Sequence, residues 1–424
     1  MREQPVQQNV TSSEPLSFWD RHEYKIYKYG HIYAFIYGQV IIDYVPQKPM
    51  RAPLKTFLIV YSHVLSLMLI VVSPCYFGYY FRELTESRDR RMQLLLYVYF
   101  ANTAIKYMTV IVTYLANMVH FTAINHRCTM QRLKLERAFA RSYVCGSKYP
   151  KQRFEFFMYF KFCLINIMMV IQVCGIFAVY GSEAESQSHI RMHFAIYGFV
   201  LWNYTENMAD YFYFINGSVL KYLRQLHIQV QRAWQDCCEL RQLHSTQMCD
   251  RLEKLRICFN QIYALHRESF RMHQLQLIGL MLATLINNLT NLFTIFNMLA
   301  KQTLEEISYP IVISSLYALG FYIDTYIVTL LNEHIKIELQ SLTLSMRRFS
   351  ELKSLDLRLD REIEEFSLLF MLLGGDQDED RGQVMLCGML HLDRRLVYLI
   401  AVTAFAYFIT LVQFDLYLRK TKVN

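Results

Sequence analysis

Residues 57–81 read FLIVYSHVLSLMLIVVSPCYFGYYF, twenty-five positions without an Asp, Glu, Lys or Arg. About 20 apolar residues in a helix cover the roughly 30 Å of hydrocarbon in a bilayer, so this stretch is long enough to span a membrane. Working outward, six more segments have comparable length and apolarity: Met92–Phe121, Phe156–Tyr180, Met192–Leu220, Gln274–Ala300, Ile307–Asn332 and Leu396–Leu418. The fifth of the seven spans also lacks charge, whereas the others carry Lys106, Lys161, Glu206 with Asp210, Asp324, and Asp415. The chain of 424 residues is 54% hydrophobic, and those residues pool in long blocks rather than the short periodic clusters of a soluble domain. The expected fold is an all-α membrane protein with seven transmembrane helices.

Met1 to Pro53 begins polar and charged and has no short apolar core with a small-residue cleavage site, so the first span is expected to start insertion itself. Of the 44 Lys and Arg, 33 fall in the N-terminal segment and the second, fourth and sixth connections, against nine on the other side. That asymmetry predicts a cytoplasmic N-terminus and an extracellular C-terminus, the reverse of a G-protein-coupled receptor. The fourth connection, Lys221 to His273, keeps helical apolar spacing at Leu223, Leu226, Val230 and Trp234, then at Leu252, Leu255, Cys258 and Ile262. The fourth and fifth helices should therefore continue into the cytoplasm. The sixth should do likewise through Leu339, Leu342, Met346 and Phe349 until Gly374 and Gly375, followed by an acidic loop to Gly382. Val384 to His391 reads as a short amphipathic helix entering the seventh span.

Enzyme signatures are absent: no G-x-S-x-G elbow, H-E-x-x-H, Walker loop or C-x-x-C pair occurs, so no catalytic residue, metal ligand or cofactor is expected. Nothing points to nucleic acid as a partner. Sequons at Asn203, Asn216 and Asn288 lie within expected spans and should be unused. The informative residues are polar ones inside spans, because a carboxylate at mid-bilayer costs roughly 2.5 to 3.5 kcal/mol and must face protein or water. Trp202, Glu206 and Asp210 share one helix face; Asn287 and Asn291 share another; Ser314, Tyr317 and Asp324 share a third. One reading is a water-accessible pocket among the second to sixth helices, open to the outside and lined by aromatic and hydrogen-bonding groups. The other is interhelical pairing, Asp210 or Asp324 with Lys106 or Lys161. In the seventh span Thr403, Tyr407, Thr410 and Gln413 with Phe414 form a polar stripe suited to a conduit, which one helix cannot enclose but copies around a symmetry axis can. Asp415, directly after this stripe, would then ring the outer mouth with carboxylates.

The stretch Ala406-Tyr407-Phe408-Ile409-Thr410-Leu411-Val412-Gln413-Phe414 resembles the C-terminal signature of insect gustatory receptors, Thr-Tyr, five mostly apolar residues, then Gln-Phe. Gly388-Met389-Leu390-His391-Leu392-Asp393 is similar to the family's stretch entering the last helix. Ala406 stands where the family usually has Thr. Phe408 stands where the sugar-receptor branch has Glu, which turns the expectation toward bitter or otherwise aversive tastants. The resemblance implies a multi-pass receptor in the plasma membrane of sensory neurons, related to insect odorant receptors. It implies a ligand-gated, non-selective cation channel, assembled as a cyclic homotetramer or as a heteromer with related subunits.

On that reading residues 1–56 are cytoplasmic, 57–332 form the ligand-binding bundle including the 221–273 extension, and 333–395 are cytoplasmic anchor helices with the acidic loop. Residues 396–418 are the pore helix and 419–424 an extracellular tail. Tyr407, Thr410, Gln413, Phe414 and Asp415 would line the pore and gate. Trp202, Glu206, Asp210, Asn287, Asn291, Ser314, Tyr317 and Asp324 would be the candidates for contacting a small-molecule tastant. A seven-helix receptor signalling through a G protein and a secondary transporter are the alternatives.

Overall fold

The computed structural model describes residues 29–30, 32–38, 51–86, 90–116, 122–142, 151–180, 186–239, 245–301, 304–349, 356–374, 385–388 and 390–423. After a helical turn at 32–36 they form α1 (Ala52–Glu86), α2 (Arg90–Ala116), α3 (Thr122–Ser142), α4 (Lys151–Tyr180) and α5 (Ser186–Glu239). Next come α6 (Ser245–Lys301), α7 (Leu304–Phe349), α8 (Leu357–Gly374), a hairpin of β1 (Met385–Leu386) and β2 (Leu390–His391), and α9 (Arg394–Val423). The seven expected spans fall on α1, α2, α4, α5, α6, α7 and α9. Four stretches, Ala52–Tyr79, Met158–Ile176, Thr246–Phe296 and Arg394–Tyr417, are apolar enough to cross a membrane by length and composition. The acidic loop beyond Gly374 lies outside the described residues, as does nearly all of the expected N-terminal segment before residue 29.

Of the remaining three expected spans, the one on α5 is more polar because of where it sits. Helix α5 runs through the middle of the bundle, touching α1, α2, α3, α4, α6 and α7, and between residues 201 and 220 every side chain except Glu206 and Phe214 is buried. A helix wrapped by other helices can carry carboxylates and amides, since protein rather than lipid surrounds them. The periphery is the inverse. Phe57, Val60, Val64, Met68 and Val71 of α1, Ile167 and Val170 of α4, and Leu399, Val402 and Phe405 of α9 are all exposed.

Helices α5 and α6 have 54 and 57 residues, roughly 80 Å or more at 1.5 Å per residue, far beyond a bilayer's hydrocarbon. Their extensions carry the bundle's core onward without a break. Leu226, Val230 and Ala233 of α5, Leu252, Phe259 and Ile262 of α6, Leu342, Met346 and Phe349 of α7, and Phe366 of α8 have no exposed surface. Trp234 stacks edge-on to Phe349 at 5.4 Å, and Arg256 of α6 pairs with Glu362 (3.3 Å) and Glu365 (3.1 Å) of α8. The periodicity read from residues 221–273 and 333–349 is thus the packing face of this core.

Three elements differ from expectation. The helix read from Glu333 to the glycines at 374 and 375 is two helices, α7 ending at Phe349 and α8 beginning at Leu357. Helix α3 adds a helix to the second connection that the span search did not register, because its residues are too polar to read as a span. Where an amphipathic helix was expected at 384–391, the described residues form a hairpin: Met385 pairs with His391 and Leu386 with Leu390. Cys387 (φ 51°) and Gly388 (φ 70°) both adopt the left-handed region, which ends any helix there. The Cys387 amide donates to Gln274 Oε1 (3.4 Å), tying the hairpin to α6, and Asp393 Oδ1 accepts from the Leu396 amide (3.1 Å) to cap α9. Arg394 pairs with Glu333 of α7 at the same junction.

Helices α2 and α6 approach closely at Gly279 of α6, where an added Cβ would overlap the Thr109 hydroxyl of α2 and come within 3.1 and 3.2 Å of its Cγ2 and Cβ. Thr109 is buried and its hydroxyl donates to Ile105 O (2.8 Å), so a stiff β-branched side chain leaves no room. Gly279→Ala is expected to cost about 1–3 kcal/mol by overpacking. The thermal midpoint of the purified protein in detergent should fall, and Thr109→Ala in the same chain should restore most of it; an unchanged midpoint in the single mutant would show that α2 and α6 are not in close contact.

Candidate functional site

Lys161 of α4 is the centre of a buried ionic cluster. Its Nζ lies 2.8 Å from Asp210 Oδ1 of α5 and also pairs with Asp324 of α7, with no exposed side-chain surface. Taking an ammonium out of water is compensated only by such direct pairing, so the three helices are held in one arrangement. Glu206 joins from one turn earlier on α5: carboxylate oxygens of Glu206, Asp210 and Asp324 lie within 4.8 Å of one another. Of the two readings open from sequence, interhelical pairing therefore holds for Asp210 and Asp324, and Lys161 is their partner.

Lys106 is placed differently. Its ammonium sits 4.3 Å from the centre of the Trp202 ring, a cation–π contact. Trp202 meets the edge of Phe321 at 4.5 Å, and Phe321 meets Tyr317 at 4.5 Å, so aromatic rings of α5 and α7 form a continuous wall. Alongside it runs a chain of hydrogen bonds. Tyr33 OH donates to Asn203 Oδ1 (3.1 Å), Asn203 Nδ2 donates to Gln172 Oε1 (3.0 Å), and Gln172 Nε2 donates to the Tyr317 hydroxyl (2.9 Å). Asn102 of α2 donates to Asn287 Oδ1 of α6 (2.9 Å). Five helices and residues 29–38 thus converge on one site. Several buried polar atoms there have no protein partner: Glu206 Oε2, Asn102 Oδ1, Asn287 Nδ2 and Asn291 Nδ2. Buried polar groups are normally satisfied by protein or by water, and the chain itself leaves these four atoms open.

A small open cleft lies beside this region, lined by Gly30, Tyr33, Ala34, Arg132 of α3, and Asn207, Asp210, Tyr211, Phe214 and Ile215 of α5. Arg132 brings α3 to its wall. Asn207 Nδ2 donates to Ala34 O (3.1 Å), fastening residues 29–38 across it. The side chain of Ser314 lies outside the described residues, so its expected place in the pocket has no structural counterpart here. The structure adds Gln172, Phe321, Tyr33 and Lys161 to the site. Only Lys161 carried a signal in sequence, as a lone charge within a span. The sequons at Asn203, Asn216 and Asn288 are buried within helices.

On α9, Tyr407, Thr410, Gln413 and Phe414 are exposed on the chain surface, as a shared outward face requires. Asp415 contradicts its expected role: it is 1% exposed and points into the chain, about 100° around the helix from Phe414, so its carboxylate does not join that face. Phe408 turns the same way inward, meeting Phe296 of α6 at 6.2 Å.

Comparison with known proteins places this arrangement. The family model for the 7tm chemosensory receptor matches residues 26–418. Gustatory receptor 10a of Drosophila melanogaster is 63% identical over 417 residues, covering 97% of this chain and 99% of that protein. The structure of the insect olfactory receptor OR5 from Machilis hrabei superposes with a TM-score of 0.61 at 12% identity, over 93% of this chain and 99% of that one. The same receptor in complex with eugenol gives 0.58 at 13% identity over the same shares. At 12–13% identity these structures speak for the fold alone, while the family match and the close relative span nearly the whole chain. The chain belongs to the 7tm chemosensory receptor family, among the insect gustatory receptors.

Proposed function

We propose that this receptor is a ligand-gated, non-selective cation channel in the plasma membrane of sensory neurons. Seven helices span the bilayer with the N-terminus inside and the C-terminus outside. Four chains, identical or mixed with related subunits, surround a pore lined by α9. A small-molecule tastant binds among α2, α4, α5, α6 and α7, at Trp202, Glu206, Tyr317, Asn287 and Asn291, and biases a closed–open equilibrium. The observation that carries this reading is a division of labour in one chain. The partner-poor polar atoms lie in the interior of the bundle, and the exposed polar face lies on α9, where a single chain cannot enclose it. The olfactory receptor of the same fold is solved in complex with eugenol, a small molecule, which supports a small-molecule ligand for this chain. Phe408, in place of the sugar-branch Glu, supports an aversive tastant.

The ligand site is tested by the dose–response curve. Trp202→Ala and Tyr317→Ala should each raise the half-effective ligand concentration about tenfold or more, because each removes an aromatic wall worth roughly 1–3 kcal/mol of contact. Single-channel conductance should stay as in the parent. Unshifted curves at normal surface density would move the site elsewhere.

For Asp415 the inward placement reverses the naive expectation. Asp415→Asn should leave cation conductance at low ionic strength as it is and lower the thermal midpoint instead, since a buried carboxylate loses its interactions at about 1–3 kcal/mol. A conductance loss that concentrated salt abolishes would put the carboxylate back at the pore mouth.

A further inference from the structure

Three exposed arginines meet where α6 enters its expected span. Arg267 and Arg271 lie one turn apart on an exposed face of α6, immediately before the span that begins at Gln274, and Arg127 is exposed on α3. The two helices pack along each other. Arg127 and the half-buried Glu268 both act on the Cys128 thiol, which brings residue 127 of α3 to the turn 267–271 of α6. Farther down α6 the arginines are satisfied: Arg251 pairs with Asp236, and Arg256 with Glu362 and Glu365. No carboxylate among the described residues, Glu268 included, pairs in this way with Arg127, Arg267 or Arg271.

Beyond Arg271 the same face of α6 turns apolar, with Leu275 53% and Leu282 46% exposed. Leu282 stands about 16 Å along the helix from Arg271, close to half the roughly 30 Å thickness of the hydrocarbon and so to the reach of one leaflet's acyl chains. A guanidinium group offers forked N–H pairs that match phosphate oxygens, and arginine is suited to holding phosphate at a membrane edge. We propose that this seam binds a phospholipid with several phosphate groups from the cytoplasmic leaflet, its headgroup on Arg127, Arg267 and Arg271 and an acyl chain along Leu275 and Leu282. Three guanidinium groups are more than a single phosphodiester can engage, and the cytoplasmic leaflet is the one that carries anionic and inositol lipids. The choice of leaflet rests on the proposed cytoplasmic placement of residues 221–273.

The test uses the purified full-length receptor in nanodiscs, where both leaflets are open to added lipid and orientation plays no part. Discs of phosphatidylcholine alone are compared with discs that also carry phosphatidylserine or a phosphatidylinositol bisphosphate, and binding is read as a rise in thermal midpoint. The bisphosphate should raise the midpoint at a lower mole fraction than phosphatidylserine does, and soluble inositol trisphosphate, which lacks acyl chains, should raise it less than the lipid. Arg267→Gln with Arg271→Gln should weaken the bisphosphate about twenty-five-fold, at roughly fivefold per arginine. Lys254→Gln, at an exposed position of α6 roughly 25 Å farther from the span, should bind as the parent does. In phosphatidylcholine alone both variants should melt as the parent does, because the side chains they replace are exposed. Equal midpoints in all discs, a lipid preference that survives in the double variant, or an equal loss in Lys254→Gln overturns the proposal. Inositol trisphosphate as effective as the lipid would make this a soluble-phosphate site and also overturns it. A double variant that melts lower or comes apart in neutral discs does the same, making this face a contact between copies of the chain. The orientation fails separately, by staining of an N-terminal tag on unpermeabilised cells.

Discussion

Replacing Lys161 with methionine is expected to remove most of the receptor from the cell surface. The substitution nearly keeps the side chain's length and takes away the ammonium that, among the described residues, meets Asp210 and Asp324, leaving three carboxylates within 4.8 Å of one another inside the bundle. Breaking a buried pair on one side typically costs about 3–5 kcal/mol, a large share of the stability of a whole domain. The aspartates would either separate, pulling α5 from α7, or take up protons that the folded arrangement was not built to hold. Removing the charges together should be far milder, because a buried pair is close to neutral against an apolar replacement. Lys161→Met with Asp210→Asn and Asp324→Asn should therefore recover much of the surface signal that Lys161→Met loses. Surface biotinylation and the thermal midpoint in detergent read both variants. Full surface expression of Lys161→Met alone would show that the cluster does not hold the helices together.

Phe414→Ala should raise current in the absence of ligand. Phe414 is 51% exposed on one chain, on the α9 face that also carries Tyr407, Thr410 and Gln413. Around a fourfold axis this residue would form an apolar ring, and narrow apolar rings close by dewetting. Cutting each ring member to a methyl group widens the constriction and lets water persist in it, so the closed state should leak several times more current than the parent. A mutant that reaches the surface at normal density and stays as quiet as the parent would take the gate away from Phe414.

The sequence made the membrane-facing part of the fold legible because hydropathy reports contact with lipid. Segments 57–81 and 396–418 are apolar for that reason, and the same logic explains why α5, buried by its neighbours, keeps Glu206 and Asp210 and looks less like a span. The long extensions were legible through their 3.6-residue period, which depends only on one face being buried. Orientation around a helix axis was not. Asp415 sits one residue after Phe414, and only packing against the rest of the chain decides that one points inward and the other outward. The hairpin at 385–391 escaped because a stretch this short fits either period, and the left-handed pair Cys387-Gly388 is a tertiary choice anchored by Gln274. For the site, Trp202, Glu206 and Tyr317 stood out as polar or aromatic groups on shared faces. Gln172 and Phe321 did not, since a glutamine at a span's edge and a phenylalanine within a span have no signal until their partners are placed.

The central claim is that ligand binding opens a pore within the receptor itself. Its most direct measurement is current from excised inside-out patches of cells expressing only this chain, with ligand in the pipette and the cytoplasmic face perfused with buffer lacking nucleotides. The account predicts ligand-dependent, unitary, cation-selective openings that persist for minutes under that perfusion and are absent from untransfected patches. Ligand responses that occur in intact cells, vanish on excision and return only with GTP would contradict it and make this chain a receptor coupled to a separate channel.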